Sequence, residues 1–133
     1  MKTAEMLRTT PAETGIDPGL LARTIDTLVA CSQACTACAD ACLSEDMVAE
    51  LRACIRTNLD CADVCDTAAR VLSRQTSYNA DVTRAVLQAC VEVCRACGTE
   101  CASHADHHEH CRVCAEACRS CEEVCSQLLA AIG

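Results

Sequence analysis

Aromatic side chains are almost missing from this 133-residue chain, which has no Phe, no Trp and one tyrosine, Tyr78. The usual large core-fillers are therefore unavailable. A chain of this length favours one domain with one modest core, and here that core must be built from Leu, Val, Ile, Ala and sulfur. A basic block is missing too: eleven Lys and Arg are scattered along a chain of net charge −8, which argues against nucleic acid as a partner and suits a protein that handles cations. No stretch approaches the length of a membrane span, so no membrane is expected. The opening MKTAEMLRTTPAETG has one early lysine, Lys2, and no apolar run behind it, so it reads as neither a secretory nor a twin-arginine signal. The expected compartment is the cytoplasm, where thiols stay reduced. The alternation of two that a strand requires is absent as well.

What the chain has instead is cysteine, sixteen of them, far more than packing needs. In a reducing compartment such a pattern points to metal or redox chemistry rather than to disulfides. Asp17-Pro18 is a helix start, an N-cap with proline at the first helical position, and this helix is expected to reach about Leu43. Ser44, with Glu45 and Asp46 in a first turn that favours negative charge, is expected to open a second helix running to about Ser73. RQTSYNA is a turn in which Ser77 or Asn79 caps a third helix that ends near Ser103. Asp106 and Glu109 resemble a capping box opening a fourth helix to the carboxyl terminus. Four helices of roughly 25 residues, each about 38 Å long and joined by short loops, predict an all-α protein, an antiparallel up-down-up-down four-helix bundle over residues 17–133. Residues 1–16 are expected to form an arm or short extra helix.

The cysteines repeat in register. Helix one carries Cys31, Cys35, Cys38 and Cys42, and helix three carries Cys90, Cys94, Cys97 and Cys101, both stepping 4-3-4. Helix four carries Cys111, Cys114, Cys118, Cys121 and Cys125. Helix two carries Cys54, Cys61 and Cys65, with Asn58 at the step that would complete the pattern. Steps of three and four keep these side chains on the inward face of a bundle helix. Carried further, the stripes run into Leu21, Leu28, Leu72, Val86, Leu87, Leu128 and Ile132 at one end, an expected apolar plug. At the other end they run into Met47, His104 and His107 or His108, an expected mouth of softer or switchable ligands. His110 reads as a solvated loop residue, and Gly98 as a point of close helix packing.

Residues i and i+4 on a helix hold their Cβ atoms about 5–6 Å apart, whereas a disulfide wants about 3.8 Å. Pairs on one helix are thus poorly placed to bond each other and well placed to grip one ion. Soft thiolates select Cu(I), so each CxxxC pair is a candidate site and multiple ions per chain are expected. Tetrahedral zinc sites of four thiolates are the alternative, and spacing does not exclude them, although a dedicated zinc site needs only four ligands. The CxxCxxCxxxCP run of iron-sulfur proteins is absent. A thiol enzyme is the third reading: Cys111 with His107 or His108 could mimic a nucleophile and base, but no oxyanion donor or substrate cleft is indicated, so no enzyme is expected.

The CxxxCxxCxxxC repeat on several helices, with HADHHEH ahead of the last cysteine-rich helix, resembles the bacterial copper storage proteins over roughly residues 18–132, and in particular their cytosolic branch. The resemblance implies a four-helix bundle assembled as a homotetramer that stores many Cu(I) ions along its core. It implies ligand roles for the sixteen cysteines and for the mouth histidines His104 and His108, with copper donor or acceptor proteins as possible partners. Asn58 departs from an all-cysteine stripe: its side-chain oxygen is a candidate extra ligand, and a buried polar residue that fixes bundle register is the equal alternative.

Overall fold

The computed structural model describes residues 1–132; Gly133, the last residue of the expected bundle segment, lies outside them. The described residues are all-helical, with α1 at Thr3–Thr9, α2 at Pro18–Leu43, α3 at Arg52–Leu72, α4 at Ala80–Ser103 and α5 at Glu109–Ile132. A single 3-10 turn, Val48–Leu51, leads into α3, and no strand occurs among the described residues. None of the described helices is long and apolar enough to cross a membrane.

Two helix starts follow directly from local chemistry. The Asp17 carboxylate accepts from the Leu20 backbone N–H at 2.9 Å, with Pro18 just inside the helix, where its missing N–H costs nothing. Asn79 Oδ1 accepts from the N–H groups of Asp81 and Val82 at 3.0 and 3.2 Å, which decides the third cap in favour of Asn79 over Ser77.

Two starts differ from expectation. The second long helix begins at Arg52 rather than beside Ser44, because residues 44–47 turn and the 3-10 turn follows, which buries Leu51 at 1% exposure. Glu45 and Asp46 therefore stand outside the helix they were expected to open. The last helix begins at Glu109, and Asp106 lies in the preceding turn, which is held by backbone bonds from His107 and His108 N–H to the His104 carbonyl at 3.1 and 3.0 Å. The spacing of a capping box is present there, yet the backbone already satisfies the turn.

Helix α2 packs against α3 and α5, and α4 packs against the same two. All sixteen cysteines are buried in the shared interior. The apolar continuation of the stripes is buried with them: Leu21, Ile25, Leu28, Leu72, Leu87 and Leu128 join the core, and Val86 and Ile132 pack at its margin. Gly98 sits where α4 meets α5, and a Cβ there would lie 3.3 Å from Cys118 Cβ, tight enough to push the helices apart. Helix α1 lies on α2, where the Thr3 hydroxyl donates to the Asp26 carboxylate and Leu7 touches the core margin.

Candidate metal centre

Because the cysteines recur every three or four residues, each helix turn delivers one sulfur to the interior, and the four helices together build a continuous stack. Within one helix the sulfurs of Cys31 and Cys35 lie 3.9 Å apart, those of Cys61 and Cys65 3.8 Å, and those of Cys97 and Cys101 3.9 Å. Between helices the spacing is the same, with Cys35 to Cys118 and Cys65 to Cys94 at 3.7 Å and Cys61 to Cys94 at 3.8 Å. These gaps are far longer than an S–S bond of about 2.05 Å and shorter than twice a metal–thiolate bond of about 2.3 Å. All sixteen thiols are free.

The sulfurs also gather in fours, each group lying within 4.8 Å: Cys31, Cys65, Cys94 and Cys121; Cys31, Cys35, Cys61 and Cys118; Cys35, Cys97, Cys114 and Cys118; Cys38, Cys42, Cys54 and Cys111. A group of three, Cys38, Cys101 and Cys114, links the last two of these. Neighbouring groups share members, Cys31 and Cys35 among them. Independent tetrahedral sites cannot all be filled by sulfurs that belong to two groups at once, whereas bridging thiolates can serve both.

Asn58 occupies the break in the pattern and is fully buried. Its Oδ1 accepts from the thiols of Cys97 and Cys114 at 3.0 Å each and of Cys101 at 3.5 Å, and its Nδ2 donates to Cys54 Sγ at 3.6 Å. One amide thereby touches sulfurs on α3, α4 and α5. Among the described residues no buried side-chain nitrogen or oxygen lacks a partner.

Close packing of thiols splits their acidities, because a sulfur that accepts S–H bonds is favoured as thiolate and its donor neighbour as thiol. Hydrogen bonds from Cys118 and Cys121 hold Cys31 well below the ordinary thiol range, and hydrogen bonding with Cys125 and Cys31 holds Cys121 well above it. Hydrogen bonding from Cys125 and then Cys65 brings Cys90 down to about 4 against the opposing effect of burial, while burial first, then the charge of Cys38, pushes Cys42 up to about 11. Metal binding to such a stack must release protons.

The stack is not surrounded uniformly. Beyond Cys38 and Cys111 the structure brings in a residue expected in solvent: His110 Nδ1 lies 3.4 Å from Cys38 Sγ and 3.6 Å from Cys111 Sγ, and its Nε2 lies 2.8 Å from Glu45 Oε2. The same oxygen is 2.9 Å from His108 Nδ1, and the two imidazoles stack with centroids 5.5 Å apart. Burial pulls the His110 pKa down, but hydrogen bonds and charges from Cys38 and Glu45 outweigh it and the net shift is upward. The His110 hydrogen bond, aided by the charge of His108, lowers the Glu45 pKa. A signal for His110 was present: it lies four residues before Cys114 and so continues the stripe of α5. Glu45 is 65 residues away in sequence and had no such signal.

Of the other expected mouth residues, His108 is buried at 9% exposure, and His104 is partly buried with Glu100 Oε2 at 3.5 Å. Met47, displaced with the start of α3, is 42% exposed. His107 is exposed in the turn.

A helical interior lined with contiguous free thiols, with imidazoles at one margin, defines a protein built to hold several soft metal ions. The family model described as "Copper storage protein" matches residues 19–130, and the chain belongs to that family. It is similar to the copper storage protein Ccsp of Streptomyces lividans in a structure loaded with 10 copper equivalents, with 64% identity, a TM-score of 0.96, and coverage of 97% of this chain and 98% of that one. A structure of a cytosolic copper storage protein from S. lividans carrying five coppers is 67% identical, with a TM-score of 0.86 over 86% of this chain and 96% of that one. The Cu(I)-bound copper storage protein BsCsp3 is more distant, at 34% identity and a TM-score of 0.72 over 80% of this chain and 95% of that one.

Proposed function

We propose that this protein stores and buffers Cu(I), several ions per chain, as a cytoplasmic reserve. The observation that carries the reading is the overlap of the four-sulfur groups, in which shared sulfurs such as Cys31, Cys35 and Cys118 belong to two groups each. Bridging of this kind suits low-coordinate Cu(I) on soft thiolates and suits discrete tetrahedral zinc poorly. The ligands in this reading are the sixteen cysteines, with Asn58 Oδ1 as an oxygen neighbour midway along the stack, and His108, His110 and His104 at its entry. Met47, exposed rather than turned into the core, takes no ligand role in this reading. The reaction is exchange of protons for metal, so no catalytic step is assigned and the protein is read as a store rather than an enzyme.

The architecture that supports this is an antiparallel up-down-up-down bundle of α2 to α5 over residues 17–133, with residues 1–16 as an accessory arm. Its support is the order of sulfur contacts: Cys31 groups with Cys65 while Cys42 groups with Cys54, so sequence runs in opposite senses on α2 and α3. Leucines then close one end and the histidines mark a mouth at the other. A homotetramer and exchange with copper donor or acceptor proteins complete the proposal, by likeness to the family. An anaerobic titration of the reduced apo-protein with Cu(I) and, separately, with Zn(II) tests it. Uptake approaching one Cu(I) per cysteine is expected, by the soft-ligand argument. Saturation at about four zinc ions with weak copper uptake would favour the tetrahedral alternative.

A further inference from the structure

From the connection between α2 and α3, Glu45 reaches both imidazoles at the start of α5. We propose that Glu45 is the positioning residue of the mouth: its Oε2 fixes opposite tautomers on His108 and His110, leaving one unprotonated donor nitrogen on each ring. The inference rests on the storage reading for its purpose and on geometry alone for its chemistry.

A carboxylate oxygen only accepts hydrogen bonds. Oε2 lies 2.9 Å from His108 Nδ1 and 2.8 Å from His110 Nε2, so in the neutral rings the proton of His108 sits on Nδ1 and that of His110 on Nε2. The lone pair of His110 is then on Nδ1, the atom 3.4 Å from Cys38 Sγ and 3.6 Å from Cys111 Sγ. The lone pair of His108 is on Nε2. A metal ligand must present a lone pair, and a carboxylate on the far nitrogen is the usual means of fixing the tautomer and the ring plane. One oxygen does this here for two rings through opposite nitrogens. Glu45 makes both contacts from the non-helical residues 44–47.

The test begins on the reduced apo-protein, with no copper present. Long-range 15N–1H correlation spectra at a pH where the rings are neutral are expected to show His108 as the Nδ1–H tautomer and His110 as the Nε2–H tautomer. In Glu45→Ala the His108 signature is expected to be lost, with helicity by circular dichroism unchanged. In Glu45→Gln, which keeps an acceptor oxygen, the opposite tautomers are expected to persist. Identical tautomer populations in parent and Glu45→Ala would overturn the proposal, and so would a Gln variant that loses them as Ala does. Transfer of Cu(I) from a competing chelator is then expected to slow on the order of 10-fold in Glu45→Ala at unchanged total capacity; an unchanged rate would overturn the positioning role. If the parent protein took up no copper, the storage reading would fail while the tautomer result stood or fell separately.

Discussion

The two ends of the thiol stack are made from the same helices but by different chemistry. At one end the stripe passes from Cys90 and Cys125 into Leu28, Leu72, Leu87 and Leu128, each 4% exposed or less. At the other it passes from Cys38 and Cys111 into His110, His108 and Glu45, which are held by hydrogen bonds from a turn and a loop. Leucine offers no lone pair and excludes water, so an ion in the stack has no partner to step to in that direction. Imidazole offers a nitrogen that binds or releases with protonation and ring rotation. On the proposed storage reading, a leucine end without ligands and an imidazole end, formed by the turn before α5, the first turn of α5 and Glu45, would give the stack a direction, with stability assigned to the first and exchange to the second.

The sharpest way to break that contrast is at the leucines. Leu28→Ala is expected to lower the unfolding free energy of the apo-protein by about 3 kcal/mol, the range for a fully buried leucine, with copper capacity unchanged; chemical denaturation measures it, and a loss under about 1 kcal/mol would mean this end is not a packed closure. A smaller effect is expected midway. Asn58→Ala removes the acceptor shared by Cys97, Cys101 and Cys114, and because thiols are weak donors the expected cost is about 1–2 kcal/mol, read by thermal unfolding of the apo-protein. The smallest belongs to the open end: Met47→Ala should stay within about 0.5 kcal/mol, as exposed substitutions do, and leave both copper capacity and transfer rate as they were. A changed transfer rate would return Met47 to the entry.

Legibility in the sequence divides along the same line. The stripes, the leucines beyond them, the cap at Asp17 and the close approach at Gly98 were all readable, because each depends on spacing within one helix or on one residue's own chemistry. The placement of α3 and of Glu45 was not. Ser44, Glu45 and Asp46 carry the local marks of a helix start, and what overrides them is the crossing from α2 to α3, with Leu51 turned inward. His110 was misread for a related reason: its composition is that of a loop, and its environment is set by Cys38 and Glu45, which are 72 and 65 residues away. Local rules describe the helices well and describe the place where four chain segments meet poorly.

All sixteen thiols are free and buried. Wherever a stored Cu(I) replaces a thiol proton, one monovalent cation leaves as another enters, and the formal charge at that sulfur is the same when empty and when full. Filling at those sulfurs builds up no electrostatic repulsion against the next ion.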